Sequence, residues 1–311
     1  MWGWTDTFTN RLAVALLCAA ALVACGGGGG GGGSSTPPPV ATPPPQPDPE
    51  PEPEPRFSKA TLEGAYVFRS IGFSEEGLFL TLGHFTADGD GRISGRQENV
   101  ERVGLLGPIP FEGTYTLNED GTGSANLSYT FDGTAFESSI ALTVASHDGG
   151  AFVDREDDQI FLGEFVRQQG PIDTARFSGN HVYALIGSDV RSIGRIAFDG
   201  AGNVTGGDED RNEGGFVTLD AVISGGNYQT DPQTGRTALR VNTASGISDF
   251  IVYPVSPEHA FVMATDPTVF VRGDLWTQTT SARDTSAVAG PYVGAVGSDQ
   301  AFWLIRWRCD R

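Results

Sequence analysis

Phe85-Thr-Ala-Asp-Gly-Asp-Gly-Arg-Ile-Ser-Gly95 returns about 110 residues later as Ile196-Ala-Phe-Asp-Gly-Ala-Gly-Asn-Val-Thr-Gly206. In each copy two apolar runs flank an Asp-Gly pair, the composition of a tight hairpin whose glycines adopt positive φ without steric penalty. A reversal repeated at that distance predicts a tandem array of β-rich modules rather than one large domain.

The match extends outward from this turn. Leu62-Glu-Gly-Ala-Tyr-Val-Phe68 precedes the first copy and Phe177-Ser-Gly-Asn-His-Val-Tyr183 the second. Gly113-Thr-Tyr115 follows in one and Gly226-Asn-Tyr228 in the other. Aligning Phe136, Ser138, Ile140, Leu142 and Val144 with Ile247, Asp249, Ile251, Tyr253 and Val255 gives a shared period of two, the alternation of a half-buried strand. A third start at Val288-Ala-Gly-Pro-Tyr-Val-Gly294 runs into Ala301-Phe-Trp-Leu-Ile-Arg-Trp-Arg-Cys309, which departs from the repeat, so residues 281–311 read as a truncated third module.

Strand-like runs in module one fall near 64–70, 77–86, 91–98, 109–117, 123–131, 135–145, 150–154 and 159–167, joined by short turns. Forty-three glycines and no sustained helical periodicity fit the same all-β class. Sequential strands with short connections favour an up-and-down meander, and about eight strands suffice to close a small barrel. The expected architecture is therefore two tandem antiparallel barrels, residues 57–170 and 171–280, with an open sandwich as the alternative.

The N-terminal part has a different composition. Leu12–Ala24 is an apolar run of export-signal length following Arg11. Leu22-Val-Ala-Cys25 resembles the lipobox of bacterial lipoproteins; that resemblance implies cleavage after residue 24, acylation of Cys25, membrane attachment and, with Gly26 next, residence in the outer membrane of the cell envelope on a face left open. Residues 25–56 then hold Gly26–Gly33 and a Pro/Glu-rich tract ending at Pro55. Such a segment cannot build a core and reads as a disordered tether, its Pro-rich part extending at roughly 3.1 Å per residue to reach about 60 Å.

Composition excludes several functions. A formal charge of −19 opposes binding to nucleic acid. Cys18, Cys25 and Cys309 leave no cysteine inside either module for a disulfide or nucleophile. Asp88-Gly-Asp90 resembles the opening of a calcium loop but lacks the acidic ligand at the twelfth position, and Ala201 replaces Asp90 in the second copy. The glycines of both turns miss the dinucleotide fingerprint by one residue, and Lys59, the sole lysine, lies in no phosphate loop. His84, His147, His181 and His259 have no ligand spacing. Asp208-Glu-Asp210 with Glu213 reads as a solvated charge run. Asp157, Asp158 and Glu164 are the carboxylates to inspect for a glycosidase pair, although nothing in their spacing selects them.

The pattern Gly-x-Tyr-x-Phe, then Phe-Thr-Ala-Asp-Gly-x-Gly-x-Ile-x-Gly, then Gly-Thr-Tyr-x-Leu-x-x-Asp-Gly-x-Gly resembles the repeated modules of bacterial envelope lipoproteins of unassigned activity. The resemblance implies a calycin or lipocalin-like barrel and carries over no ligand residues; from the motifs weighed above, no catalytic residue, metal or cofactor is expected. The expected function is a non-enzymatic, lipid-anchored binding or interaction module for a protein or glycan. The alternative is a carrier enclosing a small apolar ligand among Tyr66, Phe68, Ile140 and Leu142 in one barrel and Ile251 and Tyr253 in the other.

Overall fold

Eight strands follow Lys59–Thr61, a single 3-10 turn: β1 (Glu63–Ser74), β2 (Gly77–Asp88), β3 (Arg92–Glu101), β4 (Gly104–Leu117), β5 (Thr122–Phe131), β6 (Thr134–Ser146), β7 (Gly149–Asp154) and β8 (Gln159–Arg167). They close in chain order into an antiparallel barrel, β8 returning to pair with β1. After a second 3-10 turn at Thr174–Arg176 the plan repeats through β9 (Ser178–Ile186), β10 (Val190–Asp199), β11 (Asn203–Glu213), β12 (Phe216–Thr230), β13 (Thr237–Thr243), β14 (Gly246–Ser256), β15 (His259–Ala264) and β16 (Arg272–Thr277). The computed structural model describes residues 56–157, 159–279, 290–298 and 301–309. The apolar leader, Cys25, the tether and Asp158 lie outside the described residues. Further on, β17 (Gly290–Ser298) and β18 (Ala301–Cys309) pair as an antiparallel hairpin.

Closure settles the choice between barrel and sandwich, and all eight strand runs expected in module one are present. The duplicated turn works alike in both copies. Asp88 Oδ1 accepts from the amides of Asp90 and Arg92 at 2.8 and 2.9 Å, and Asp199 Oδ1 accepts from those of Ala201 and Asn203 at the same distances. Gly89 and Gly91 have φ of 78° and 106°, Gly200 and Gly202 76° and 107°, values that strain any other residue. These amides hold the Asp88 carboxyl below the usual range; Asp199 is lowered first by the Asn203 side-chain amide, which donates to its Oδ2 at 2.6 Å, and then by the same backbone amides.

One end of each barrel is stoppered by the 3-10 turn preceding its first strand. Tyr115 Oη donates to the carbonyls of Lys59 and Leu62 (2.9 and 3.0 Å), and Tyr228 Oη to those of Thr174 and Phe177 (3.3 and 2.7 Å). Leu62 and Phe177, both buried, are the plugs these bonds secure.

A third core lies between the barrels. Val67, Leu80, Leu82 and Val100 from the outer face of the first meet Ile251, Tyr253, Val255, Phe261 and Met263 from the outer face of the second. Polar bridges cross the same interface. Arg69 bonds Glu164 (2.7 Å) in its own barrel and Asp274 (3.0 Å) in the other, with its guanidinium 4.0 Å from the Phe261 ring. Burial alone would raise Asp274, but the hydrogen bond from His259 and the charge of Arg69 outweigh it and hold the carboxyl below its ordinary range. Gln168, in the connection, donates to the carbonyls of Thr234 and Pro254.

Candidate functional site

The two barrel interiors differ, and the difference arises residue by residue. The first is filled by rings: Tyr66, Phe68, Phe85, Phe111, Tyr115 and Phe165 are buried, with Phe152 and Tyr129 packed against them. Tyr66 stacks on Phe85 at 5.0 Å, and Phe68 meets Phe85, Phe111 and Phe152 at 5.9 to 6.1 Å. The space left is about 130 Å³.

In the second barrel the strand register puts smaller residues at five of these places. Ile196 stands for Phe85, Ile223 for Phe111, Thr243 for Tyr129, Val262 for Phe152 and Leu275 for Phe165. The interior accordingly opens into a cavity of about 380 Å³. Its apolar walls include Leu185, Val190, Leu239, Val241, Phe250 and Val271. A volume of this order, lined by both apolar and polar side chains, is in the range of small-molecule sites.

The polar groups come from the strand read as a solvated acidic run, and that reading is corrected here. Residues 208–213 belong to β11, where side chains alternate between faces. Asp208 pairs outside with Arg195 at 2.7 Å, and Asp210 accepts from the Asp220 amide at 2.8 Å. Glu209, Arg211 and Glu213 line the cavity. Glu209 is buried, its Oε2 accepting from Ser192 Oγ at 2.6 Å and from Tyr183 Oη at 3.2 Å. Burial, then the neighbouring Glu209 charge, push the Tyr183 phenol far above its ordinary value, so it acts as a donor.

Glu209 faces inward because of one residue. β10 pairs Phe198 with Val204 but Ala197 with Gly206, so Thr205 is an extra residue that bulges out of β11. Beyond a bulge of this kind the side chains exchange faces. In the first barrel β2 and β3 pair without interruption: Gln97, opposite Gly83 as Glu209 is opposite Gly194, lines the interior, and the next residue, Glu98, points outward into the interface. There Glu98 is completely buried, ion-paired to Arg236 and hydrogen-bonded by Tyr253 Oη at 3.0 Å. Burial still holds its carboxyl above the ordinary range against those two partners.

Of the residues expected inside the barrels, Tyr66, Phe68 and Leu142 are in the first core with Ile140 packed against it, and Phe68, Ile140 and Leu142 line its small cavity. Ile251 and Tyr253 are not inside the second: they belong to the core between barrels, and Phe250 and Val252 face inward instead. The error is a one-residue slip. Leu142 pairs with Gly123 and Phe152, and the residue doing the same in the second barrel, opposite Thr237 and Val262, is Val252.

Of the carboxylates singled out for a glycosidase pair, Glu164 is ion-paired with Arg69 at the interface and Asp157 lies in a bend beyond β7. His181 is buried against Phe177 and Phe198, His259 pairs with Asp274 at 2.8 Å, and His84 lies 6.0 Å from the Tyr253 ring. His147 accepts from Tyr66 Oη through its carbonyl and contacts Asp148.

No family model matches the chain, and no curated protein matches it. Among solved structures it is similar to CghA, crystallised with Sch210972, at 7% identity and a TM-score of 0.21, covering 68% of this chain and 87% of that one. It is also similar to a protein of unknown function from the DUF3598 family of Nostoc punctiforme, at 11% identity and a TM-score of 0.17, covering 70% and 96%. Likenesses this slight bring no chemistry to the chain.

Proposed function

We propose that this chain is a lipid-anchored binding protein of the bacterial cell envelope that holds a small, largely apolar ligand inside its second barrel. Acylation of Cys25 would fix it to the outer membrane, and the tether of residues 25–56 would hold the barrels away from the bilayer. The reading is non-catalytic. The observation that supports it is the inequality of the interiors, about 380 Å³ against about 130 Å³ in barrels of the same strand number. A barrel that needs only a core can be filled by its own side chains, as the first is. The first barrel then serves as the rigid partner that supports the second through their common core.

The test is native mass spectrometry of the full chain exported in a related bacterium. A reproducible extra mass that is lost on denaturation is the expected result. A bare chain that also fails to take up apolar fluorophores would overturn the reading.

A second reading, an interaction module for a protein or glycan, draws support from Phe216, Val217, Leu219 and Val222, all exposed on β12. Apolar side chains grouped on a surface are a feature of partner-binding faces. Capture by an envelope partner that is lost in a Phe216→Ser/Leu219→Ser variant, with the cavity empty, would favour it.

A further inference from the structure

The cavity of the second barrel carries a specific electrostatic asymmetry. Both protein hydrogen bonds to the buried Glu209 carboxylate, from Ser192 and Tyr183, fall on Oε2. Oε1 accepts none, and no Arg, Lys or His among the described residues forms an ion pair with Glu209. When a ligand displaces the water from the cavity this carboxylate needs a cation beside it, because an unpaired charge taken out of water is costly. The buried glutamate of the first barrel, Glu98, does have one in Arg236.

Other acids border the cavity as well: Glu213, Asp249 and Asp266 lie at the end formed by the β11–β12 and β13–β14 hairpins, while Arg211 is the one cationic side chain there. Arg211 is paired with Glu213 at 3.0 Å, and Asp249 with Arg240 at 2.7 Å. Charges of one sign in a low-dielectric cleft attract the opposite charge and repel their own. The opposite end is closed by Phe177, so a ligand enters past these acids and extends its apolar part among the aliphatic walls.

We infer that the cavity takes an apolar molecule bearing a protonated amine, the ammonium group seated against Oε1 of Glu209 as the missing counter-ion. The inference rests on the carrier reading and adds to it the chemistry of the ligand's head. An ammonium supplies three donors and one positive charge, which complements an oxygen that has acceptor capacity and no partner. A carboxylate or phosphate head would meet repulsion from Glu209 and from the rim.

The experiment is a titration of the full chain with decylamine, decanol and decanoate at neutral pH and low detergent-free concentrations, repeated on Glu209→Gln. The expected order is decylamine tightest, by at least tenfold over decanol, with decanoate weakest. Glu209→Gln should lose at least tenfold in decylamine affinity while decanol binding stays within about threefold, which also reports that the cavity is intact. Equal binding of decylamine and decanol, or tightest binding of decanoate, would overturn the inference and leave the carrier reading standing. Failure of all three to bind overturns both. The ranking by the unaltered chain decides the matter even where Glu209→Gln does not fold.

Discussion

Glu98 of the first barrel and Arg236 of the second form an ion pair across the interface, with the carboxylate shielded completely from solvent and its other oxygen held by Tyr253. The barrels are thereby joined by a buried charge as well as by an apolar seam.

Removing one member of such a pair leaves the other charge stranded. Glu98→Ala is expected to cost about 3–5 kcal/mol of unfolding free energy at neutral pH, and Glu98→Gln less. In guanidinium titrations the Glu98→Ala/Arg236→Ala double variant should be less destabilised than the sum of the singles. Additivity would mean that the pair contributes no coupling.

His181 makes stability depend on pH. Burial, then the positive charge of Arg176, lower its pKa from 6.5 to about 4. The folded form therefore binds fewer protons than the unfolded chain between these values, so this contribution is complete above pH 6.5 and is lost as the pH falls towards 4. Its size is about 3 kcal/mol. Unfolding curves at pH 7 and pH 4.5 should differ by correspondingly less in His181→Phe; an unchanged difference would assign the pH effect to other groups.

The tyrosines that secure the barrel plugs should be equivalent. Tyr115→Phe and Tyr228→Phe each remove a hydroxyl shared by two carbonyls. A loss of about 1–3 kcal/mol is expected for each, since the acceptors are left buried. Thermal unfolding of the two variants measures it, and a neutral result at one site would show that its plug is held by packing alone.

Val262→Phe places in the second barrel the ring that Phe152 supplies in the first. Part of the cavity of about 380 Å³ should then fill. Decylamine and decanol binding should both weaken at least tenfold, with stability unchanged or raised by about 1 kcal/mol as void is removed. Retained binding would put the ligand elsewhere.

Gly194 lies between the Asp208 carbonyl and the Tyr183 ring, where an added Cβ would stand 2.4 Å from the carbonyl oxygen and 2.5 Å from the phenol oxygen. Gly194→Ala should therefore move Tyr183 off Glu209 and shift the adjoining strand, at a cost of about 1–3 kcal/mol. A crystal structure of the variant with Tyr183 unmoved would refute this account of the glycine.

Much of the fold is written in local chemistry. Asp-Gly turns, period-two alternation and the recurrence of Tyr115 as Tyr228 locate the strands and the repeat, because each depends on neighbours a few residues away. The cavity is a different matter. Glu209 sits in a run of acids whose exposed members, Glu213 among them, look the same in one dimension. The one warning is Gly206-Gly207, a glycine pair inside a strand, which is a recognised mark of a bulge.

The amino-acid sequence by itself determined that the chain forms two eight-stranded meanders, where their turns fall and that the second repeats the first. Tertiary structure decided which face of β11 and β14 is inside the second barrel. Asp88 and Asp199 are 111 residues apart and Leu142 and Val252 are 110 apart, so one offset cannot align both pairs. In a strand a single residue exchanges core for surface. That parity sends Tyr253 to the interface with Glu98, leaves Val252 in the barrel and turns Glu209 inward to face the cavity.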